Sequence, residues 1–345
     1  NRAREGLRVA EDYVRFSLED RRLTELLKRW RHAFTEQMRR LDSPGLLQSR
    51  ETRRDVGTTI TTRTERQRST LRDVAMAAFK RTQEAVRSLE ETTKVVSSVV
   101  SPHLEQLRYE LYTLEKAVFQ TEASRSRLAQ QRLYLLLTES LCPRGSGPLL
   151  RIALEAGVSM VQLREKSMPD KHLIDHARRV RDWTRAAGAA LIINDRPDIA
   201  ALVDADGVHL GQDDMSVHDA RRIVGPTRLV GVSTHSLPQL DAALLDGADY
   251  VGVGPTFPTR TKSFTEYSGL DYVRSAASST RLPSYPIGGI GPENIAEVIA
   301  AGADRVAVSG AVCSASDPAD VIRQLLTALN TVPSPRSAPA AANDQ

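Results

Sequence analysis

The stretch Leu191–Asp214, LIINDRPDIAALVDADGVHLGQDD, decides the fold. It opens on an apolar run, Leu191-Ile192-Ile193, that ends in Asn194-Asp195. A short helical pattern follows from Pro197, where proline suits a first helical turn. Gly207-Val208-His209-Leu210-Gly211 then reads as a second buried strand, closed by Gln212-Asp213-Asp214. Two apolar strands joined by a helix run parallel, so both end on the same side of the sheet. Carboxylates at those ends, Asp195 and Asp213 or Asp214, are expected to face one another across a small gap. Hard oxygen ligands so placed suit Mg²⁺, which takes a few carboxylates, waters and substrate phosphates. A single acid after a strand is as readily a helix cap, so the metal reading depends on what the other strands bring.

Working outward, strand and helix patterns alternate eight times between Arg132 and Asn330. The strands read as Leu133–Thr138, Met160–Arg164, Leu191–Asn194, Val208–Gly211, Leu229–Ser233, Tyr250–Gly254, Tyr285–Gly289 and Arg305–Ser309. Amphipathic stretches such as Leu149–Glu155, Lys171–Ala186, Pro238–Asp246 and Glu293–Ala301 separate them, and Ala-Gly or Gly-Ala pairs mark helix ends. Such a repeat with no dinucleotide fingerprint predicts a closed α/β TIM barrel over residues 129–330, with an open doubly wound sheet as the alternative. In a barrel the chemistry sits where strands end. That rule gathers Gln162, Arg164 and Lys166 from the second strand, Asn194 and Asp195 from the third, and Asp214 from the fourth. The fifth adds Ser233, the sixth the hydroxyl- and cation-bearing loop Gly254–Lys262, the seventh Gly288-Gly289, and the eighth Ser309-Gly310. Glycine-rich ends at the last two strands are where barrels commonly hold a phosphate. Glu165 alternates to the other side and reads as structural. His209 reads as a packed or hydrogen-bonded histidine and not a base, and His235 as a loop residue. No Ser-His-Asp arrangement stands out.

The chain has 345 residues, 41% of them apolar, and no apolar run near the roughly 20 residues that span a membrane. It opens at Asn1 inside a helical pattern without an initiator Met, so a start further upstream is an expectation that the sequence leaves open. Two cysteines without metal-ligand spacing, Cys142 and Cys313, point to free thiols, a reducing compartment and a cytoplasmic protein. The net charge of +4 divides unevenly. Through Arg132 there are 27 Lys+Arg against 19 Asp+Glu, and beyond it 20 against 24. The basic residues are interleaved with acids at helical spacing, which reads as a solvated helix face; neither nucleic acid nor membrane is an expected partner. Residues 1–128 show no strand pattern. Leu7, Ala10, Val14 and Leu18 form one helical stripe, and Leu23, Leu26, Leu27, Trp30 and Phe34 another. Asp42-Ser43-Pro44-Gly45 reads as a turn and Asp55–Thr59 as part of a long loop. Helix resumes from Leu71 to Val100 and, after Ser101-Pro102, from Leu104 to Glu122. Arg2, Glu5, Leu7, Arg8, Glu11 and Asp12 match Arg81, Glu84, Val86, Arg87, Glu90 and Glu91 at a constant offset of 79, which predicts two equivalent helices packed together. Residues 331–345, rich in Pro, Ser and Ala, read as a disordered tail.

The segments QLREK, IINDRPDIA, ADGVHLGQDD, GVSTHS, DYVGVGPTFPTRTK and IGGIGPENI resemble thiamine phosphate synthases in order and spacing, over about residues 132–326. That resemblance implies a transferase joining hydroxymethylpyrimidine diphosphate to a thiazole phosphate. On it, Gln162, Arg164, Lys166, Asn194 and Lys262 hold the pyrimidine diphosphate, and Asp195 and Asp214 bind Mg²⁺. Ser233 sits near the pyrimidine, and Thr259, Thr261 and Gly289 take the thiazole phosphate, beside Ser309 and Gly310. Arg164, Ser233 and Lys262 are then the residues that act on the reacting centre. The strings NRAREGLRVAEDYVRF, RRDVGT, FKRTQEAVRSLEE and LRYELYTLEKA resemble the helical domain often fused ahead of such synthases, regarded as a second type of hydroxymethylpyrimidine phosphate kinase. That resemblance implies ATP as a further substrate, although no Walker loop is present. Arg2, Arg8, Arg54 and Arg72 are its candidate phosphate contacts, because guanidinium matches phosphate geometry. The rival reading is a thiazole tautomerase-like or regulatory barrel with a helical docking or dimerisation domain. A homo-oligomer is left open.

Overall fold

The computed structural model describes residues 1–41, 68–258 and 267–332. The expected turn at Asp42–Gly45, the loop at Asp55–Thr59, Arg54, Thr259, Thr261, Lys262 and nearly all of the expected tail lie outside the described residues. The chain divides into two compact units at Val118/Phe119, a point inside one long helix.

The first unit is helical in every element described: α1 (Arg2–Tyr13), a π-helical turn (Val14–Leu18), α2 (Arg21–Arg40), α3 (Leu71–Val96) and α4 (Val100–Arg127), which runs past the division. The helix starts are written in the sequence. Asp20 accepts the Leu23 N–H at 2.8 Å to open α2. Thr70 and Asp73 form a reciprocal capping box ahead of α3. Pro102 falls in the first turn of α4, where no backbone donor is needed. The expected stripes are buried except at Leu26, which is only half-buried: Leu7, Ala10, Val14 and Leu18, then Leu23, Leu27, Trp30 and Phe34. The two echoed helices, α1 and α3, pack against one another. Their crossing is close at Gly6, where a Cβ would collide with Thr82 and stand 2.8 Å from the Ala78 carbonyl. The echo extends to electrostatics. Glu11 on α1 is buried and pairs with Arg31 of α2 at 3.0 Å. Its counterpart Glu90 on α3 is buried and pairs with Arg108 of α4 at 2.7 Å. Local bridges form on α3, where Arg87 reaches Glu90 and Glu91, each at 2.7 Å.

The second unit carries eight parallel strands, β1 (Leu133–Leu137), β2 (Met160–Leu163), β3 (Ala190–Asn194), β4 (Gly207–Leu210), β5 (Leu229–Thr234), β6 (Tyr250–Val253), β7 (Ser284–Pro286) and β8 (Val306–Val308). The ladder runs β7-β6-β5-β4-β3-β2-β1-β8, and β7 lies beside β8. This is the expected TIM-type barrel, with helices between the strands. Strand ends differ most at β7, which stops at Pro286 instead of reaching Gly289. Gly288 and Gly289 take φ of +102° and +65°, which turns the backbone out of the ladder. The N-terminal mouth is closed by the end of α4 and the turn after it. Gln120 and Ser124 bond to the Asp249 carboxylate, and Leu128 and Gln131 offer carbonyls to Arg305 and to the Tyr285 hydroxyl.

Strand alternation sends Tyr134, Leu136, Met160, Ile192, Leu229, Tyr250, Tyr285 and Ala307 into the barrel, where they form one buried cluster. Small residues alternate with large ones. A Cβ on Gly231 of β5 would occupy the Tyr250 ring. Three phenol rings therefore fit side by side, 5.3 to 5.8 Å apart and edge to face. His209, expected to be a hydrogen-bonded histidine, sits above them with Nδ1 3.2 Å from the Tyr250 oxygen and Nε2 2.9 Å from the Ser233 oxygen.

Two measurements check these energetics. Arg108→Met leaves the Glu90 carboxylate, 1% exposed, without its buried partner, and should cost about 3 kcal/mol in urea unfolding of the helical unit. Arg87→Ala removes only the half-exposed partner and should cost under about 1 kcal/mol. Equal losses would contradict this division. For His209, burial pushes the pKa from 6.5 down to about 4. The unfolded state then binds more protons between those values, so stability is full above pH 6.5 and falls by about 3 kcal/mol as pH drops through 4. Unfolding free energies measured at a series of pH values should lose that slope in His209→Gln; an unchanged slope would mean that another group sets it.

Candidate active site

A cavity of about 410 Å³ opens where the strands end. Gln162, Arg164, Lys166, Asn194, Asp195, Asp214, Ser233, Gly289, Ser309 and Gly310 all line it. Parallel strands bring this about: residues far apart in sequence leave the barrel on one face. Cross-strand register does the fine placement. Asn194 stands opposite His209 and Ser233 opposite Gly252. The described site residues are thus brought together, and Thr259, Thr261 and Lys262 lie outside the described residues.

The acidic corner is the most constrained part. Asp195 follows β3 with φ of +59°, a left-handed conformation that costs energy for any residue with a side chain. Its backbone N–H donates to the His209 carbonyl at 2.8 Å, which locks the turn to the neighbouring strand. Of the two acids after β4, Asp214 is the one that lines the cavity, because its carboxylate accepts the Gly211 N–H at 2.6 Å. Burial first, then the adjoining Asp214 carboxyl, raises the Asp195 pKa above the usual aspartate range, and Lys166 partly offsets this from 3.4 Å. Two carboxyls within hydrogen-bond reach must share a proton or a cation. Among the described residues no group of three or more His, Cys, Asp or Glu is arranged so that it could hold a metal ion. Two hard-oxygen side chains with open space beside them fit a divalent cation that draws its other ligands from water and a phosphorylated substrate.

The opposite wall is built mainly of glycines and backbone, and it also carries the Glu293 side chain. Gly288 and Gly289 turn beneath the segment from Pro255 to Pro258, and a Cβ on Gly289 would stand 2.7 Å from the Pro258 carbonyl. Phe257 N–H donates to the Gly288 carbonyl at 3.0 Å, and the Asn294 amide to the Gly289 carbonyl at 2.8 Å. The Ser309 hydroxyl donates to the Leu136 carbonyl at 3.0 Å, so Ser309 contributes mainly by shaping the wall. Glu165 bonds the Glu139 N–H at 2.6 Å away from this face, in keeping with a structural part. His235 bonds the Gly254 carbonyl and holds the loop. Cys142 and Cys313 are buried free thiols. Strand reading missed Tyr134 and Tyr285, which line the cavity floor, and Tyr250, which bonds to Tyr134 and His209 beneath it. The signal was available: Tyr134 and Leu136 share the inward phase of β1, as Tyr250 and Gly252 share that of β6.

No helix of the described residues is long and apolar enough to cross a membrane. The family model described as thiamine monophosphate synthase matches residues 133–312, and that of the ThiD2 family matches residues 1–117. A thiamine-phosphate synthase of Nostoc punctiforme is 38% identical over 332 residues, covering 96% of this chain and 92% of the relative. One from Prochlorococcus marinus is 42% identical over 334 residues, covering 95% and 94%. Among solved structures, a thiamine phosphate pyrophosphorylase from Pyrococcus furiosus superposes with a TM-score of 0.54 at 34% identity, covering 60% of this chain and 98% of that one. Barrel, cavity and matches over nearly the whole length agree: the chain is a transferase belonging to the thiamine-phosphate synthase family.

Proposed function

We propose that the cavity joins hydroxymethylpyrimidine diphosphate to a thiazole phosphate, giving thiamine phosphate and diphosphate. The observation that carries this is the gathering of Gln162, Arg164, Lys166, Asn194, Asp195, Asp214 and Ser233 around one cavity at the strand ends. Gln162 and Asn194 hold the pyrimidine half, and Arg164, Lys166 and Lys262 meet the diphosphate. Asp195 and Asp214 hold Mg²⁺, which when bound supplies positive charge against the diphosphate oxygens. The bond from the exocyclic methylene to the diphosphate oxygen breaks with its electron pair leaving on oxygen. The aminopyrimidine ring shares the positive charge left behind, and the thiazole nitrogen lone pair forms the new C–N bond. No proton is transferred, which agrees with a floor whose histidine is neutral and buried. Arg164, Lys166 and Lys262 matter most as charge grows on the leaving group. Ser233 offers its hydroxyl beside the ring, and alignment of the two substrates supplies much of the rest. Gly289 and Gly310 would present backbone N–H groups to the thiazole phosphate, with Thr259, Thr261 and Ser309 beside them.

For the helical unit, the ThiD2 match and the sequence resemblance support ATP-dependent phosphorylation of hydroxymethylpyrimidine phosphate, which would feed the barrel. We assign the barrel to residues 129–330 and the helical domain to 1–128.

Three measurements test these readings. Asp195→Ala and Asp214→Ala should each lower kcat about 100-fold, or about 3 kcal/mol of barrier, and raise the Mg²⁺ concentration for half activity. Near wild-type rates in both would remove the metal assignment. Lys262→Ala should reduce kcat more than it weakens thiazole-phosphate binding, since the charge it meets grows in the transition state; a change confined to the thiazole-phosphate KM would move the lysine to the other substrate. The full chain given hydroxymethylpyrimidine phosphate, ATP and Mg²⁺ should form the diphosphate, and Arg8→Ala should slow that step about tenfold. Folded protein that transfers phosphate from no nucleotide would leave the helical unit as a docking or dimerisation element.

A further inference from the structure

Five side chains from five strands form one unbroken hydrogen-bond chain across the barrel floor. Gln162 Nε2 donates to the Tyr134 hydroxyl at 2.6 Å, and the Tyr134 and Tyr250 oxygens are 2.9 Å apart. Tyr250 then meets His209 Nδ1 at 3.2 Å, and His209 Nε2 meets Ser233 Oγ at 2.9 Å.

The inventory of donors gives this chain a direction. An amide nitrogen only donates, so the Tyr134 oxygen accepts from Gln162. Tyr134 has one hydrogen and gives it to Tyr250. Tyr250 must then give its own to His209 Nδ1. A neutral imidazole accepting at Nδ1 carries its hydrogen on Nε2, which donates to Ser233. The Ser233 hydrogen has no place left on the chain and turns toward the cavity. At the far end Gln162 Oε1 is buried without a partner, on a residue that is 1% exposed and lines the same cavity. The floor thus ends in an acceptor at Gln162 and a donor at Ser233. The opposite direction would turn the Gln162 amide over and spend the Ser233 hydrogen on His209. Burial pushes both tyrosine hydroxyls upward and keeps them un-ionised.

We propose that Tyr134, Tyr250 and His209 are positioning residues that fix Ser233 as a donor and Gln162 as an acceptor. The floor thereby selects a heteroaromatic ring that carries an amino group and an unprotonated ring nitrogen, and rejects its oxo counterpart. The inference rests on reading this cavity as the pyrimidine site.

Two experiments on the full chain test it. ¹⁵N NMR of histidine-labelled protein, with His209 assigned through His209→Gln, should show a neutral ring protonated on Nε2 alone at pH 7. The Nδ1 tautomer would overturn the direction of the chain without any variant that might misfold. Kinetics then compare the aminopyrimidine diphosphate with the analogue bearing an oxo group in its place. Ser233→Ala should lose activity. Tyr250→Phe should lower kcat and the preference for the amino substrate, each about tenfold, with the thiazole-phosphate KM unchanged. Wild-type rates in Ser233→Ala would overturn the pyrimidine-site reading and this inference with it. A slow Ser233→Ala beside a Tyr250→Phe of undiminished discrimination would overturn the chain alone.

Discussion

Three phenols buried in the centre of a parallel barrel impose the condition that the rest of the site must meet. A buried hydroxyl without a partner costs on the order of 1–3 kcal/mol, and Tyr134, Tyr250 and Tyr285 are each 1% exposed or less. Each finds a partner, but only Tyr285 finds one at the closed mouth, on the Gln131 carbonyl. The other two bond to one another and then outward to Gln162 and His209. The barrel core therefore does not end as an apolar plug. It passes continuously into the polar floor of the cavity, so packing below and chemistry above share the same side chains. Gly231 is part of that bargain, since only a missing side chain leaves room for the Tyr250 ring.

The upper rim follows a second constraint, the parallel direction of all eight strands. It gathers the carboxylates of β3 and β4 whether or not they repel. Desolvation and mutual proximity raise the Asp195 pKa, and the residue is also held at φ of +59°. A fold gains no stability from either feature. Strain and like-charge proximity concentrated at one strand end are features that gather at functional sites. The glycine wall across the cavity offers backbone groups beside the Glu293 side chain, whereas the side-chain cations Arg164 and Lys166 stand on the acidic side.

Much of this was legible in the sequence because it rests on local periodicity. Eight apolar runs, helix ends at Ala-Gly pairs and the inward phase of each strand are short-range signals, and every described site residue lines the expected face. What was not legible depends on register between strands. Tyr250 reads locally as an ordinary strand-forming aromatic; its bond to Tyr134 exists because β1 and β6 face one another across a closed barrel. Alternation alone left Asp213 and Asp214 open; the family resemblance picked Asp214, and a turn hydrogen bond to Gly211 is what holds that carboxylate at the cavity. The early end of β7 follows from two glycines whose φ values a one-dimensional reading does not carry.

The helical unit shows the same limit from the other side. Its offset of 79 is visible in the sequence, and so is the pairing of α1 with α3 that it implies. The arginines that neutralise the two echoed acids are not, because they arrive from the next helix in each case, Arg31 to Glu11 and Arg108 to Glu90. Buried ion pairs commonly give no more stability than an apolar pair of the same volume, so stability alone does not account for the acid being present twice. An apolar stripe on α1 or α3 tolerates sliding by one helical turn, whereas a buried carboxylate is satisfied at one register only. The repeated acid and its arginine thus set how α1 meets α2 and how α3 meets α4.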